Sequence, residues 1–205
     1  MRYSETHKAE TRERILKVAS RALREQGPEK LAVAEVMEAA GLTHGGFYAH
    51  FKSKDALLAE TLKHSFVRAK NKAQLAVEGM PPRHAMAAYI DFYVSANHRD
   101  FPANGCPISA LSSVLPRQAK KFRAVYDEGV KSLVGTIAVW LAEAGYEEPE
   151  KLASSVLSAM VGAVSLSRSV ADKQLSDDLL ESARTGIKAR LGLSEAALSR
   201  TSLNG

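Results

Sequence analysis

LAVAEVMEAAGLTHGGFYAHFKSK, residues 31–54 of a 205-residue chain, decides how the rest is read. Val33, Val36, Met37 and Ala40 fall at i, i+3, i+4 and i+7, the apolar stripe of a short helix, and Gly41 ends it. Thr43 offers a hydroxyl oxygen of the kind that caps a helix start. A second short helix follows, with Phe47 and Phe51 on one face and His44 and Tyr48 on another. Two short helices joined by a glycine-containing turn form a helix-turn-helix, here over about 33–51. The second helix of that motif lies in the major groove of DNA.

Gly45 and Gly46 stand inside the second helix, where each costs roughly 1 kcal/mol of helix propensity relative to alanine. Close approach to another surface explains them better than a role within the chain. After Phe51, Lys52 and Lys54 flank Ser53, the expected N-cap of a third helix. Those lysines sit beside the groove entry as phosphate contacts.

The segment GLTHGGFYAHFKSK resembles the DNA-binding domain of TetR-like transcriptional repressors, whose pattern is G-hydrophobic-S/T-x-G-x-hydrophobic-Y-x-H-F-x-S/N-K. The resemblance implies that Tyr48, His50 and Lys54 hold the DNA backbone. It places Thr43, His44, Gly45 and Gly46 against the bases and Phe47 and Phe51 in the core. The chain departs from the pattern at Ala32, where Thr or Ser is common, and Ala34 likewise has no polar atom. Direct readout then falls mainly to Thr43 and His44, and the operator is read partly through groove shape and an N-terminal arm.

Composition agrees with a partner that is a polyanion. Residues 1–54 hold ten Lys/Arg against seven Asp/Glu, and the remaining 151 residues hold 18 against 16. Taken alone, Arg12, Arg14, Lys17, Arg21 and Arg24 would be a solvated helix face. The single cysteine excludes an intramolecular disulfide framework and a Cys-rich zinc site and fits a reducing compartment. Residues 1–9 have no apolar core for a signal peptide. Leu152–Ser167, an uncharged run that no other in the chain exceeds, is shorter than the ~20 residues that span a bilayer. A soluble cytoplasmic protein without cofactor, metal site or membrane partner is the expectation.

Along the chain, Met1–Lys8 reads as a polar arm with Arg2 and Lys8 as its cations, and Ala9–Gln26 as a helix ended by Gly27-Pro28. Residues 55–78 continue as a helix linking a DNA-binding domain, 1–54, to a second domain, 79–193. Gly79-Met80-Pro81-Pro82 marks the boundary, and residues 194–205 form a tail. Helices are expected over Arg83–His98, from Pro107 to about Leu115, over Arg117–Ala144, from Pro149, and from Ser176 to a last apolar residue at Leu191. No strand-like alternation competes, so the fold class is all-α: a three-helix DNA-binding domain joined by a long helix to a helical sensor and dimerisation bundle.

Val156, Leu157, Ala159, Met160, Val161, Ala163, Val164 and Leu166 cover the circumference of one helix, which must be buried on all sides. With the small residues of the last helix they suit a four-helix packing between two chains. Val156, Met160, Ala163, Val164, Ala183 and Ile187 are the expected interface, and the resemblance implies the same last two helices. A two-fold dimer calls for a palindromic operator. Tyr89, Tyr93, Tyr126, Trp140 and Met160, with Phe92 and Phe122, are candidates to line an effector cavity, or simply core. Cys106 precedes Pro107 at a helix start, where partial positive charge favours a thiolate. The resemblance implies a possible sensor of electrophiles there, and a small buried residue is the alternative.

The chain therefore reads as a homodimeric repressor released by a small-molecule effector or by modification of Cys106. Two other classes compete: a helical interaction module without DNA binding, and a Cys-dependent enzyme with His64, His84 or His98 as base. The enzyme lacks a third orienting residue.

Overall fold

The computed structural model describes residues 2–194 and 197–199, with backbone alone at 2–5. Met1 and most of the expected tail lie outside the described residues. The elements are α1 (Arg2–Lys30), α2 (Val33–Ala39), a 3-10 helix (His44–Ala49), α3 (Lys54–Val77), α4 (Pro82–Tyr93), α5 (Ala96–Asp100) and α6 (Pro107–Leu111). They continue as α7 (Lys120–Glu143), α8 (Pro149–Ser169) and α9 (Lys173–Arg190), with short 3-10 turns at Pro102–Asn104 and Leu115–Arg117. The all-helical expectation stands.

Boundaries differ where side-chain caps override the apolar pattern. The expected arm is helical from Arg2, and Gly27 at φ 82° breaks α1 internally rather than ending it. The helix expected over Arg83–His98 is two, because Ser95 accepts the His98 N–H at 3.1 Å and donates to the Phe92 carbonyl at 3.0 Å. The helix starting at Pro107 is only five residues long. The last helix starts earlier than Ser176, since Asp172 caps it by accepting the Leu175 N–H at 3.0 Å.

By contacts the chain divides into one unit of residues 1–68 with 102–129, and another of residues 69–101 with 130–205. The division is not colinear with the sequence boundary at Gly79. Arg24, buried in α1, donates to the carbonyl of Ala103, and Phe66 meets Tyr126 edge-on with centroids 5.7 Å apart. Residues 102–129 thus pack with α1 and α3.

In the first unit Ile15, Ala19 and Leu23 of α1 are fully buried, as are Met37 of α2 and Leu57 and Leu62 of α3. A polar seam crosses the same unit. Ser20 Oγ lies 2.9 Å from His64 Nδ1, and His64 Nε2 lies 2.8 Å from Glu13 Oε1. At Gly129 an added Cβ would sit 2.2 Å from the Phe66 ring, so only glycine lets that ring seat on α7.

In the second unit Met86, Ile90, Ile137, Leu141, Val156, Met160 and Val164 are fully buried. Arg99 ties α5 to α9 through Asp177 Oδ1 at 2.5 Å and Ser176 Oγ at 3.0 Å. Helix α8 is long and apolar enough to cross a membrane by length and composition. Its face from Ala153 to Ser167 belongs to the core of its unit.

Candidate nucleic-acid interface

The turn of the helix-turn-helix is built at Gly41. Its φ is 70°, its N–H bonds the Glu38 carbonyl at 2.8 Å, and the Leu42 N–H bonds the Met37 carbonyl at 2.9 Å. That paired pattern closes α2 and needs the left-handed conformation that glycine adopts without strain. The second helix is then a 3-10 helix, His44–Ala49, rather than the expected α-helix. Two adjacent glycines weaken α-helical propensity, and i→i+3 bonds carry the segment, with the Gly46 N–H on the Thr43 carbonyl at 3.1 Å and the His50 N–H on the Phe47 carbonyl at 2.9 Å. Thr43 holds extended N-cap dihedrals, but its hydroxyl makes no capping bond, so it is exposed and uncommitted.

Phe47 and Phe51 are both 2% exposed and stack with centroids 5.7 Å apart, as expected for core positions. They turn the other face outward. Thr43, His44, Gly45 and Tyr48 are exposed, Tyr48 to 71%. An added Cβ at Gly45 would meet nothing within 4 Å, and at Gly46 only ordinary contacts, Met37 Cε at 3.7 Å and Thr43 Oγ1 at 3.8 Å. The chain's own packing does not require either glycine.

His50 is half-buried, and its Nδ1 has no hydrogen-bond partner. Burial first, then Lys8 and Arg12 nearby, hold its pKa below the ordinary histidine value. Lys52 is exposed, and the Lys54 ammonium donates to the Glu29 carbonyl at 3.2 Å. Ser53 caps α3 as expected, accepting the Ala56 N–H at 3.1 Å.

Arg12 is a positioning residue that the sequence does not reveal. It donates to the His50 carbonyl, pairs with Glu60, and lies 4.3 Å from the centroid of the Phe51 ring. One side chain of α1 thereby pins the end of the 3-10 helix to α3. Its polar partners are 38 and 48 residues away, so no local pattern marks it. Arg24 also leaves the supposed solvated face: burial, then Arg68, lower its pKa to about 10, while Cys106 opposes the shift.

Residues 15–61 match the family of bacterial regulatory proteins, tetR family, and residues 82–179 match the LmrA/YxaF-like transcriptional regulator C-terminal domain. The chain belongs to the TetR family. It is 26% identical over 172 residues to the uncharacterized HTH-type transcriptional regulator YxaF of Bacillus subtilis, covering 82% of this chain and 90% of that one. It is 32% identical over 97 residues to the uncharacterized HTH-type regulator YerO of the same organism, 45% of this chain and 34% of that one. The match to YerO thus spans about a third of that relative, and the match to AcrR of Shigella flexneri, 45% identical over 51 residues and 25% of this chain, spans 24% of its length. A TetR regulator from Chloroflexus aurantiacus has the same fold, with TM-score 0.77 at 22% identity over 91% of this chain and 96% of that one. E. coli NemR in its reduced form superposes with TM-score 0.75 at 19% identity, over 88% and 97%.

The sensor candidates of this TetR-family chain separate into two groups. Tyr89 lies 5.1 Å from Trp140 and 5.9 Å from Tyr93 between ring centroids, in the second unit with Met160. Tyr89, Tyr93 and Met160 are buried, Trp140 borders an open groove of about 480 Å³ with Leu75 and Gln74, and Phe92 is exposed. A second groove of about 690 Å³, which no sequence pattern marks, runs between α4 and α9 past His84, Asp91, Arg184 and Lys188. Cys106 and Tyr126 belong to the first unit, as does Phe122. Burial, with Cys106 beside it, raises the Tyr126 pKa. Cys106 is 6% exposed, and the helix it precedes has barely more than one turn. His64, a supposed partner base, is engaged by Ser20 and Glu13, and Ser20 is 1% exposed.

Most of the expected dimer residues are buried within the single chain. Val156, Met160 and Val164 are 0% exposed, Ile187 4% and Ala163 9%, all within one chain, and Ala183 is half-buried. The five buried side chains pack into the core of their own unit, and Ala183 keeps part of its surface open.

Proposed function

We propose that this chain is a DNA-binding transcriptional regulator acting as a homodimeric repressor on a palindromic operator. The observation that carries the reading is the outward face of the 3-10 helix, Thr43, His44, Gly45 and Tyr48, exposed while Phe47 and Phe51 anchor it. In this reading Tyr48, His50, Lys52 and Lys54 hold phosphates, and the glycines let the backbone approach the groove floor. The family match favours regulation over catalysis, and a cytoplasmic location goes with that role.

The dimer forms through a different face of α8 and α9 from the one named by sequence. Leu152, Ser155, Ala159, Gly162 and Leu166 follow one another at steps of three and four on the open side of α8. Arg190 of α9 donates to Ser155 Oγ at 3.2 Å, so the Leu175, Leu179 and Gly186 side of α9 continues that surface. Added Cβ atoms at Gly162 and Gly186 would meet nothing within 4 Å, which leaves room for two helices of a second copy.

A small-molecule effector binds the DNA-free shape more tightly and releases the operator. Helix α3 carries the chain from one unit into the other and is one covalent route. Burial of Cys106 favours a small effector over thiol modification as the trigger. A footprint on the DNA upstream of the coding sequence, repeated with candidate effectors, tests the reading. Protection of a palindrome supports it, and salt-insensitive or absent binding overturns it in favour of an interaction module. Alkylation of the intact protein that releases the operator would restore Cys106 as the trigger.

A further inference from the structure

Arg117, Lys120, Lys121 and Arg123 put four cations and no carboxylate into residues 117–123. All four are exposed, and none of their charged groups has a partner among the described residues. Three of them occupy the first turn of α7, which carries no acidic residue. The N-terminal end of a helix is the positive end of its macrodipole, where carboxylates are favoured and cations are repelled. A face selected for solvation or stability would place acids there. The arrangement instead presents ammonium and guanidinium groups together with the helix dipole to whatever anion approaches.

The segment is fixed in place. Phe122, 9% exposed, anchors it from below, and Gln118 Nε2 donates to Glu29 Oε1 at 3.1 Å. The same Glu29 accepts Lys54 Nζ on its carbonyl at 3.2 Å. One glutamate therefore joins the basic segment to the lysine at the edge of the helix-turn-helix, and all of these residues lie in one compact unit.

We infer that residues 117–123 form a second phosphate-binding surface, gripping duplex DNA on the flank of the operator beyond the helix-turn-helix. The inference rests on the reading of the chain as DNA-binding. Continuity with Lys54 selects duplex DNA over an acidic protein. The segment's one amide side chain, Gln118, is committed to Glu29, and its four cations are placed to meet phosphates. The surface adds affinity and salt dependence without sequence preference.

The test uses the full chain and an operator that it selects from a randomised duplex pool, presented trimmed to the footprint and with extended random flanks. The variant R117Q/K120Q/K121Q/R123Q is compared with wild type by fluorescence anisotropy across a salt series, with thermal unfolding as the folding control. On the extended duplex, the slope of log K against log[salt] falls by roughly two to four units in the variant, at ~0.9 for each phosphate that is no longer neutralised. On the trimmed duplex the two proteins bind alike, and base preferences are unchanged. If the folded variant keeps the wild-type slope on the extended duplex, or is weakened equally on both, the flank surface is refuted while DNA binding stands. If the wild-type chain selects no duplex at all, the inference falls together with the proposed function.

Discussion

Replacing Arg12 by alanine separates a positioning role from direct phosphate binding. The side chain makes three contacts at once: the His50 carbonyl, the Glu60 carboxylate, and the face of Phe51 at 4.3 Å. Arg12 and Glu60 are 32% and 39% exposed, so their ion pair is worth no more than ~1 kcal/mol. A hydrogen bond from a charged donor contributes about 1.5 kcal/mol at its lower range. A partly solvated guanidinium over a phenylalanine ring adds ~0.5–1 kcal/mol. Removing the three together should cost about 2–3 kcal/mol, a large part of the ~5–15 kcal/mol by which a domain is stable.

Urea unfolding reads this as a lower midpoint at unchanged m-value. Operator affinity falls as well, because the end of the 3-10 helix that carries Tyr48 and His50 is no longer tied to α3. The salt slope of the residual binding stays at the wild-type value, since every phosphate ligand is still present. Glu60→Gln alone should cost under ~1 kcal/mol, and a double-mutant cycle with Arg12→Ala should give a coupling of the same size. The reasoning is refuted if Arg12→Ala leaves stability within ~0.5 kcal/mol of wild type while lowering the slope by about one unit, the signature of a phosphate ligand.

Three other outcomes are expected. Lys54→Ala weakens binding similarly on all duplex sequences and lowers the salt slope by about one unit, and a sequence-dependent loss in competition assays contradicts its phosphate role. Burial, outweighing its bond to the Tyr93 carbonyl at 2.7 Å, holds the His98 pKa at about 4 against 6.5 unfolded. The unfolded chain then binds the extra proton first, so stability falls as pH drops through 6.5 toward 4, by up to roughly 3 kcal/mol from this residue. In acid unfolding series His98→Gln should flatten that limb, and an unchanged limb refutes the assignment. Leu166→Glu, at a site 53% exposed, should shift analytical ultracentrifugation from dimer to monomer with the monomer still folded, and an intact dimer would remove this face of α8 from the interface.

What is legible in the sequence is what local pattern encodes. Gly41 marks the turn, Ser53 marks the start of α3, and Phe47 and Phe51 mark the buried side of the reading element, each through its near neighbours. The 3-10 character of His44–Ala49 does not follow from the apolar spacing, although its cause is in view: adjacent glycines weaken an α-helix, and the periodicity of two phenylalanines is too short to reveal the tighter winding. Arg12, Arg24 and Glu29 are illegible for a different reason. Their partners lie far along the chain, and a charged residue on an amphipathic helix reads as solvated until the fold supplies a carbonyl or an amide for it to meet.

The proposed dimer face shows the limit of periodicity most sharply. An apolar stripe on a helix states that a surface is buried and is silent about which chain buries it. Helix α8 carries its strongest hydrophobes, Val156, Met160 and Val164, toward its own unit, because a chain folding alone must bury its largest apolar surface first. What remains for a partner on α8 is weaker by composition, Ser155, Ala159 and Gly162 between two large side chains, Leu152 and Leu166. Small side chains gain association through close backbone approach and complementary shape rather than through buried area per residue, so they leave little hydropathy signal. An interface of that kind becomes visible only when the core is subtracted, by asking which small residues the folded chain leaves open and whether they are contiguous. On α8 and α9 they are, and the hydrogen bond from Arg190 to Ser155 joins the two halves of that surface.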